Sequence, residues 1–154
     1  MDAASRSLGQ PVYIAYASSE NEFGAAFAAL VRQGVRALLL GTDTIFFNRR
    51  DQLIALAASH RIPAIYTFRE YVRDGGLASC GPIQTETIRQ AGIYAGRILK
   101  GASPGDLPVV QPTKFELVIN LQTAKALDLD VPPTLLARAK KRRRKGWRDQ
   151  QEEF

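Results

Sequence analysis

Asp43 and Thr42 stand just past a short apolar run, Arg36-Ala-Leu-Leu-Leu-Gly41. A carboxylate there can accept a hydrogen bond from a ligand ammonium or amide, although an aspartate bonding its own turn accounts for the position equally well. Ser18 and Ser19 close an earlier run, Val12 to Ala17, and precede a helical pattern. Their hydroxyls and the amides of the helix start suit a ligand carboxylate. The Ser19 to Glu22 spacing is also that of a capping box, which explains Ser19 without any ligand. Phe46 and Phe68 are candidates for the aromatic wall of a pocket, or for ordinary core. Ser79 and Cys80 end a later short strand, and His60, at the end of a helical stretch, reads as solvated.

Those residue types favour binding over catalysis. Gly75-Gly76 opens a strand rather than a helix, so it is not a phosphate-cradling loop. The single histidine has no nucleophile at a motif spacing. Thr67-Phe68 occupies the third strand's end, where a phospho-acceptor domain would need a carboxylate. One cysteine allows neither an internal disulfide nor a cysteine-based metal site. The chain is read as a non-enzyme with no cofactor and no metal.

The elements that must position these residues follow from periodicity. Val12 to Ala17 is expected as a strand, followed by a helix from about Ser19 to Gln33 with Phe23, Phe27, Leu30 and Val31 on one face. Arg36 to Leu40 and Ile62 to Phe68 read as further strands. Asn48 is expected to cap a helix between them that presents Leu53, Ile54 and Ala57. Leu77 to Cys80 and Phe115 to Ile119 read as short strands. Thr85 to Lys100 is the longest helix, with an apolar stripe of Ile88, Ala91, Gly92, Ala95, Ile98 and Leu99. Asn120 caps a short helix at 123–127, and 134–139 forms a final segment. Apolar runs without polar alternation belong to strands buried on both faces. The fold class is therefore α/β, a mainly parallel sheet in three layers with helices on both faces. Ligands of such sheets bind outside the carboxyl ends of the strands, where Thr42 and Asp43 lie.

Composition bounds the rest. With 154 residues, 45% hydrophobic and 23% charged, the chain suits one domain with extensions. The net charge of +6 is concentrated at one end, since eight basic residues and three acidic ones fall between Arg138 and Phe154. That run, Lys140 to Lys145 above all, suggests either a solvated tail or a salt-dependent contact with nucleic acid. No secretory signal and no bilayer-length apolar stretch is evident, so at face value the chain is cytoplasmic.

Several segments, taken in order, resemble a known family: Asn48-Arg-Arg-Asp-Gln-Leu, Ile62-Pro-Ala-Ile-Tyr66, Gly75-Gly-Leu77, Gly92-Ile-Tyr-Ala-Gly-Arg-Ile-Leu-Lys-Gly101, Asp106-Leu-Pro108, Gln111 to Asn120 and Thr123-Ala-Lys-Ala-Leu127. Together they resemble the C-terminal portion of ABC-transporter substrate-binding proteins of the TrpX-like class, across about residues 10 to 139. The resemblance implies one lobe of a type I periplasmic-binding-protein-like fold plus a return segment. It divides the chain into a lead segment at 1–10, a second-lobe unit at 11–81, a return segment at 82–139 that packs in part on a missing first lobe, and a disordered basic tail at 140–154. It implies a truncated solute-binding component, a small polar ligand such as an amino acid, ABC permease subunits as partners, and a periplasmic location. Cys80 stands where relatives commonly carry an aromatic residue. The tail departs from the family's usual ending. A cytosolic interaction protein with a nucleic-acid-contacting tail, or a non-functional fragment, is the competing account.

Overall fold

The protein is described here by a computed structural model covering residues 5–7 and 9–141. The short apolar runs become strands, β1 (Leu38–Leu39), β2 (Ala64–Tyr66), β3 (Ala78–Pro82) and β4 (Phe115–Ile119), joined at one edge by β5 (Lys140–Lys141). They form one sheet in the order β1-β2-β3-β4-β5. The β1/β2, β2/β3 and β4/β5 pairs are parallel, and β3/β4 is antiparallel. The fold is α/β with a mixed, mainly parallel sheet.

Parallel neighbours need crossovers, and the chain supplies helices for them. Ahead of β1 lies α1 (Phe23–Arg32). Between β1 and β2 lie α2 (Thr44–Asn48) and α3 (Arg50–Ser59), and between β2 and β3 lies α4 (Arg69–Arg73). The core forms on the sheet face that carries Leu40, Ala64 and Tyr66. Phe23 and Phe27 of α1, Leu53 and Ala57 of α3, and Tyr71 of α4 close over it. The Tyr66 and Tyr71 rings stack with centroids 4.5 Å apart. Burial pushes both phenols up, that of Tyr71 to about 12. On the other face Leu39 and Ile65 sit opposite each other and stay exposed, at 77% and 43%.

The long helix α5 (Gln84–Leu99) has no buried residue. Its apolar stripe is open, with Ile88 68% and Leu99 87% exposed. The loop that follows is tied back to α5 by the Tyr94 hydroxyl, which donates to the Pro108 carbonyl at 2.5 Å. Asn120 caps α6 (Leu121–Ala126), its side-chain oxygen accepting from the amides of Gln122 and Thr123. The Thr123 hydroxyl donates to the Gly75 carbonyl at 2.8 Å and so fixes α6 near the start of β3. The chain then forms α7 (Pro133–Arg138).

Three local expectations are corrected. Val12 to Ala17 pairs with no strand among the described residues, and Val12, Tyr13, Ile14 and Tyr16 are exposed; β-forming side chains cannot make a strand where no neighbour offers a ladder. Asn48 does not start a helix. It ends α2, whose cap is Asp43, and the chain bends at Arg49 before α3. Within the expected disordered tail, Lys140 and Lys141 instead pair with Val118 and Ile119, while residues 142–154 lie outside the described residues.

Candidate ligand-binding site

The carboxyl ends of β1 and β2 point the same way because the two strands are parallel. The residues just after each end are therefore brought together, and the Thr42 and Thr67 hydroxyls share a hydrogen bond of 2.9 Å. Asp43 follows Thr42. Its carboxylate accepts from the Ile45 amide at 2.8 Å and caps α2, so one oxygen is engaged in the turn. That is the local role the sequence allowed for it, and the residue stays exposed.

Beside Asp43 is an open cleft of about 590 Å³, lined by Glu20, Asp43, Thr44, Ile45, Asn48 and Arg49. Arg49 forms an ion pair with Glu20 across it. The cleft thus presents carboxylate, amide, hydroxyl and guanidinium groups, a set able to meet both charges of a zwitterion. A second cleft, of about 540 Å³, lies between α6 and α7 and contains none of the candidate residues.

The Ser18 amide and the Ser19 hydroxyl are engaged within their own turn. The Glu22 carboxylate accepts from the Ser18 amide at 2.8 Å and from the Ser19 hydroxyl at 3.0 Å, which holds its pKa below the ordinary value, the Ser18 amide being the larger cause. The glutamate half of a capping box is present, shifted by one residue. The serine half is absent, because the Ser19 hydroxyl makes no bond to a helix amide.

The aromatic candidates face inward. Phe46 meets the edge of Phe23 at 5.6 Å, and Phe68 meets Phe47 at 5.6 Å, both half-buried against the core. Ser79 is buried within β3 and Cys80 is exposed. Gly81 is where backbone closeness decides the residue: an added Cβ would lie 2.1 Å from the Thr67 carbonyl oxygen. His60 stacks on Phe27 with centroids 6.2 Å apart.

Thr67, Glu20 and Arg49 were not singled out by sequence. Thr67 had a usable signal, as the first polar residue after a parallel strand. Glu20 and Arg49 had none, since their approach depends on how α1 and α3 pack. Among the described residues no group of three His, Cys, Asp or Glu side chains could hold a metal, and no helix is long and apolar enough to cross a membrane.

Residues 3–143 match the family model described as ABC transporter substrate binding protein. The chain belongs to that family. A tyrosine-binding protein of Clostridioides difficile is 32% identical over 112 residues, which cover 73% of this chain and 32% of that protein. A conserved domain protein of Vibrio cholerae superposes with a TM-score of 0.83 at 25% identity, over 91% of this chain and 47% of that one. An ABC domain of Streptococcus pneumoniae solved in complex with L-Trp gives 0.81 at 25% identity, over 90% of this chain and 48% of that one. The family member described here thus spans about half the length of these solved relatives and a third of the curated one. The resemblance read from the ordered segments holds, for family and for fold.

Proposed function

We propose that this chain supplies one lobe of the solute-binding component of an ABC uptake system, and that Thr42, Asp43 and Thr67 form part of its wall against an amino acid. The observation that carries this is the convergence of those polar groups at the carboxyl ends of β1 and β2, in a chain whose relatives include a tyrosine-binding protein and an L-Trp complex. Asp43 and Glu20 suit the ligand ammonium, and Arg49 its carboxylate. Nothing in this account requires a reaction.

Membership of the family supports a reading of the remaining partners. A first lobe closes the cleft by a hinge motion, permease subunits receive the ligand, and the assembly works outside the cytoplasm. The uncovered stripe of α5 is the surface on which the first lobe rests. One lobe alone offers half of the contacts, so its affinity falls in the region of about 1 mM, roughly −4 kcal/mol.

Thermal melting with L-tryptophan, L-tyrosine and L-alanine tests the proposal. An aromatic amino acid in excess raises Tm through mass action, and Asp43→Asn, which keeps the cap and removes the charge, abolishes the rise. Equal melting curves with every amino acid would contradict it.

A further inference from the structure

We propose that residues 142–154 fold back on their own chain, with Trp147 seated in the cleft between α6 and α7 and with Lys145 and Arg148 beside the cleft's two aspartates. The seat lies apart from the ligand wall: α7 leads into β5, and β5 is the sheet edge opposite β1.

The cleft suits a side chain that is apolar and flanked by positive charge. It holds about 540 Å³, the size of a small-ligand pocket. Leu121, Leu129, Val131 and Leu136 line it, and Leu121 and Leu129 keep 40% and 38% of their surface open. Its charged lining is Asp128, Asp130 and Lys125, so carboxylates outnumber cations. Asp128 is already held by Arg61 at 2.7 Å. Asp130 is exposed and forms no ion pair among the described residues. An exposed carboxylate beside leucines is best met by a segment that brings both a ring and a cation.

The chain's own continuation has that chemistry. In Arg142-Arg-Arg-Lys-Gly-Trp-Arg148 the tryptophan follows Lys145 by two residues and directly precedes Arg148. Tryptophan joins a large apolar body to one N–H donor, which a carboxylate at the rim can accept. Phe154 is the other aromatic residue of this stretch, but it follows Glu152 and Glu153, which the aspartates repel.

Topology delivers the segment to the cleft. β5 runs parallel to β4 with Lys141 opposite Ile119, so the chain leaves β5 at the end where β4 passes into α6. Ladder partners lie about 4.8 Å apart, and Leu121, in the cleft lining, is two residues beyond Ile119. Trp147 is six residues beyond Lys141, and an extended chain of that length reaches about 20 Å. The distance is covered with slack. So short a tether presents the segment at an effective concentration on the order of 1 mM, and an intrinsic dissociation constant of about 0.1 mM then seats it roughly ten to one. A nucleic acid has to be met from solution, whereas the aspartates are always within reach.

Trp147 is the chain's single tryptophan, so the tryptophan fluorescence of the whole chain reads this contact alone. The reference is a synthetic peptide of residues 142–154. At that seating ratio, acrylamide should quench the chain at least about threefold less efficiently than the peptide, and emission should lie at shorter wavelength. Asp130→Lys reverses the charge at the rim, and Leu129→Asp places a charge among the leucines. Both positions are exposed, and urea midpoints followed by circular dichroism check that the fold is retained. Each variant should quench nearly as the peptide does; if the Leu129 variant melts early, Asp130→Lys decides alone. Quenching of the unaltered chain equal to that of the peptide overturns the inference, and so does protection that Asp130→Lys leaves intact. Protection that fades on about a hundredfold dilution means that the cleft takes the tail of a second copy. A tryptophan that is free until duplex DNA is added means that the tail serves nucleic acid. Either result overturns the inference.

Discussion

Thr42 and Thr67, twenty-five residues apart in sequence, are joined hydroxyl to hydroxyl at 2.9 Å across the carboxyl ends of two parallel strands. The bond fixes the loop that carries Asp43 relative to the one that carries Phe68. It is also available for exchange, because a bound polar group can replace either partner.

Thr67→Val keeps the shape of the side chain and removes the hydroxyl. Since the bond lies near solvent, its loss costs about 0.5–1 kcal/mol of stability, measurable as a lower urea midpoint with unchanged slope. Amino-acid binding should weaken by more than that stability loss explains.

Asp43 has two separable roles. Asp43→Ala removes the cap of α2 and costs about 1 kcal/mol, whereas Asp43→Asn retains an acceptor for the Ile45 amide and costs a few tenths. Urea melts distinguish the two. Both substitutions should remove ligand-induced stabilisation.

Asp74 ties the end of α4 to the start of α3 through Arg50 at 2.6 Å, and also bonds Arg73. The Arg73 hydrogen bond, with Arg50 adding to it, holds the Asp74 carboxyl below its ordinary value. A depressed carboxylate contributes stability that is complete above the ordinary carboxylate range and is lost as pH falls through the depressed value. Stability measured from pH 6 down to pH 2 should therefore decline below about pH 4, and Asp74→Asn should flatten part of that decline. At neutral pH the substitution costs about 1 kcal/mol, as the group is partly solvated.

Two glycines predict opposite signs. Gly81→Ala drives a Cβ to within 2.1 Å of the Thr67 carbonyl oxygen, so β2 and β3 must separate; the variant should lose more than about 3 kcal/mol or fail to fold. Gly92→Ala, in the middle of α5 with nothing within 4 Å, should gain about 0.5–1 kcal/mol from helix propensity in this chain. Parallel chemical melts of the two variants check both signs.

Much of the fold was legible in residue order. Phe115 to Ile119 is the strand its composition implied, Asn120 caps as expected, and the helix expected over Thr85 to Lys100 is Gln84–Leu99, shifted by one residue at each end. These signals are local, carried by side chains that act within a few residues of themselves. The failures are those whose outcome depends on a distant neighbour. Val12 to Ala17 has strand chemistry and no ladder to join among the described residues. Asp43, placed at a strand end by sequence, was better positioned than Asn48 to start a helix, because the turn after Gly41 left the Ile45 amide within its reach. The strand-end rule pointed to Thr42 and Asp43, and the structure places Thr42 against Thr67 and Asp43 at the start of α2. That rule could not foresee that Phe46 and Phe68 would turn onto other rings of the core.

Backbone amide shifts of the isotope-labelled chain, titrated with L-tryptophan up to several millimolar, test most directly whether the carboxyl ends of β1 and β2 form a ligand wall. The account predicts saturable shifts centred on Thr42 to Ile45, Arg49, Thr67 and Phe68. A titration that leaves those amides unmoved, or moves only the cleft between α6 and α7, would contradict it.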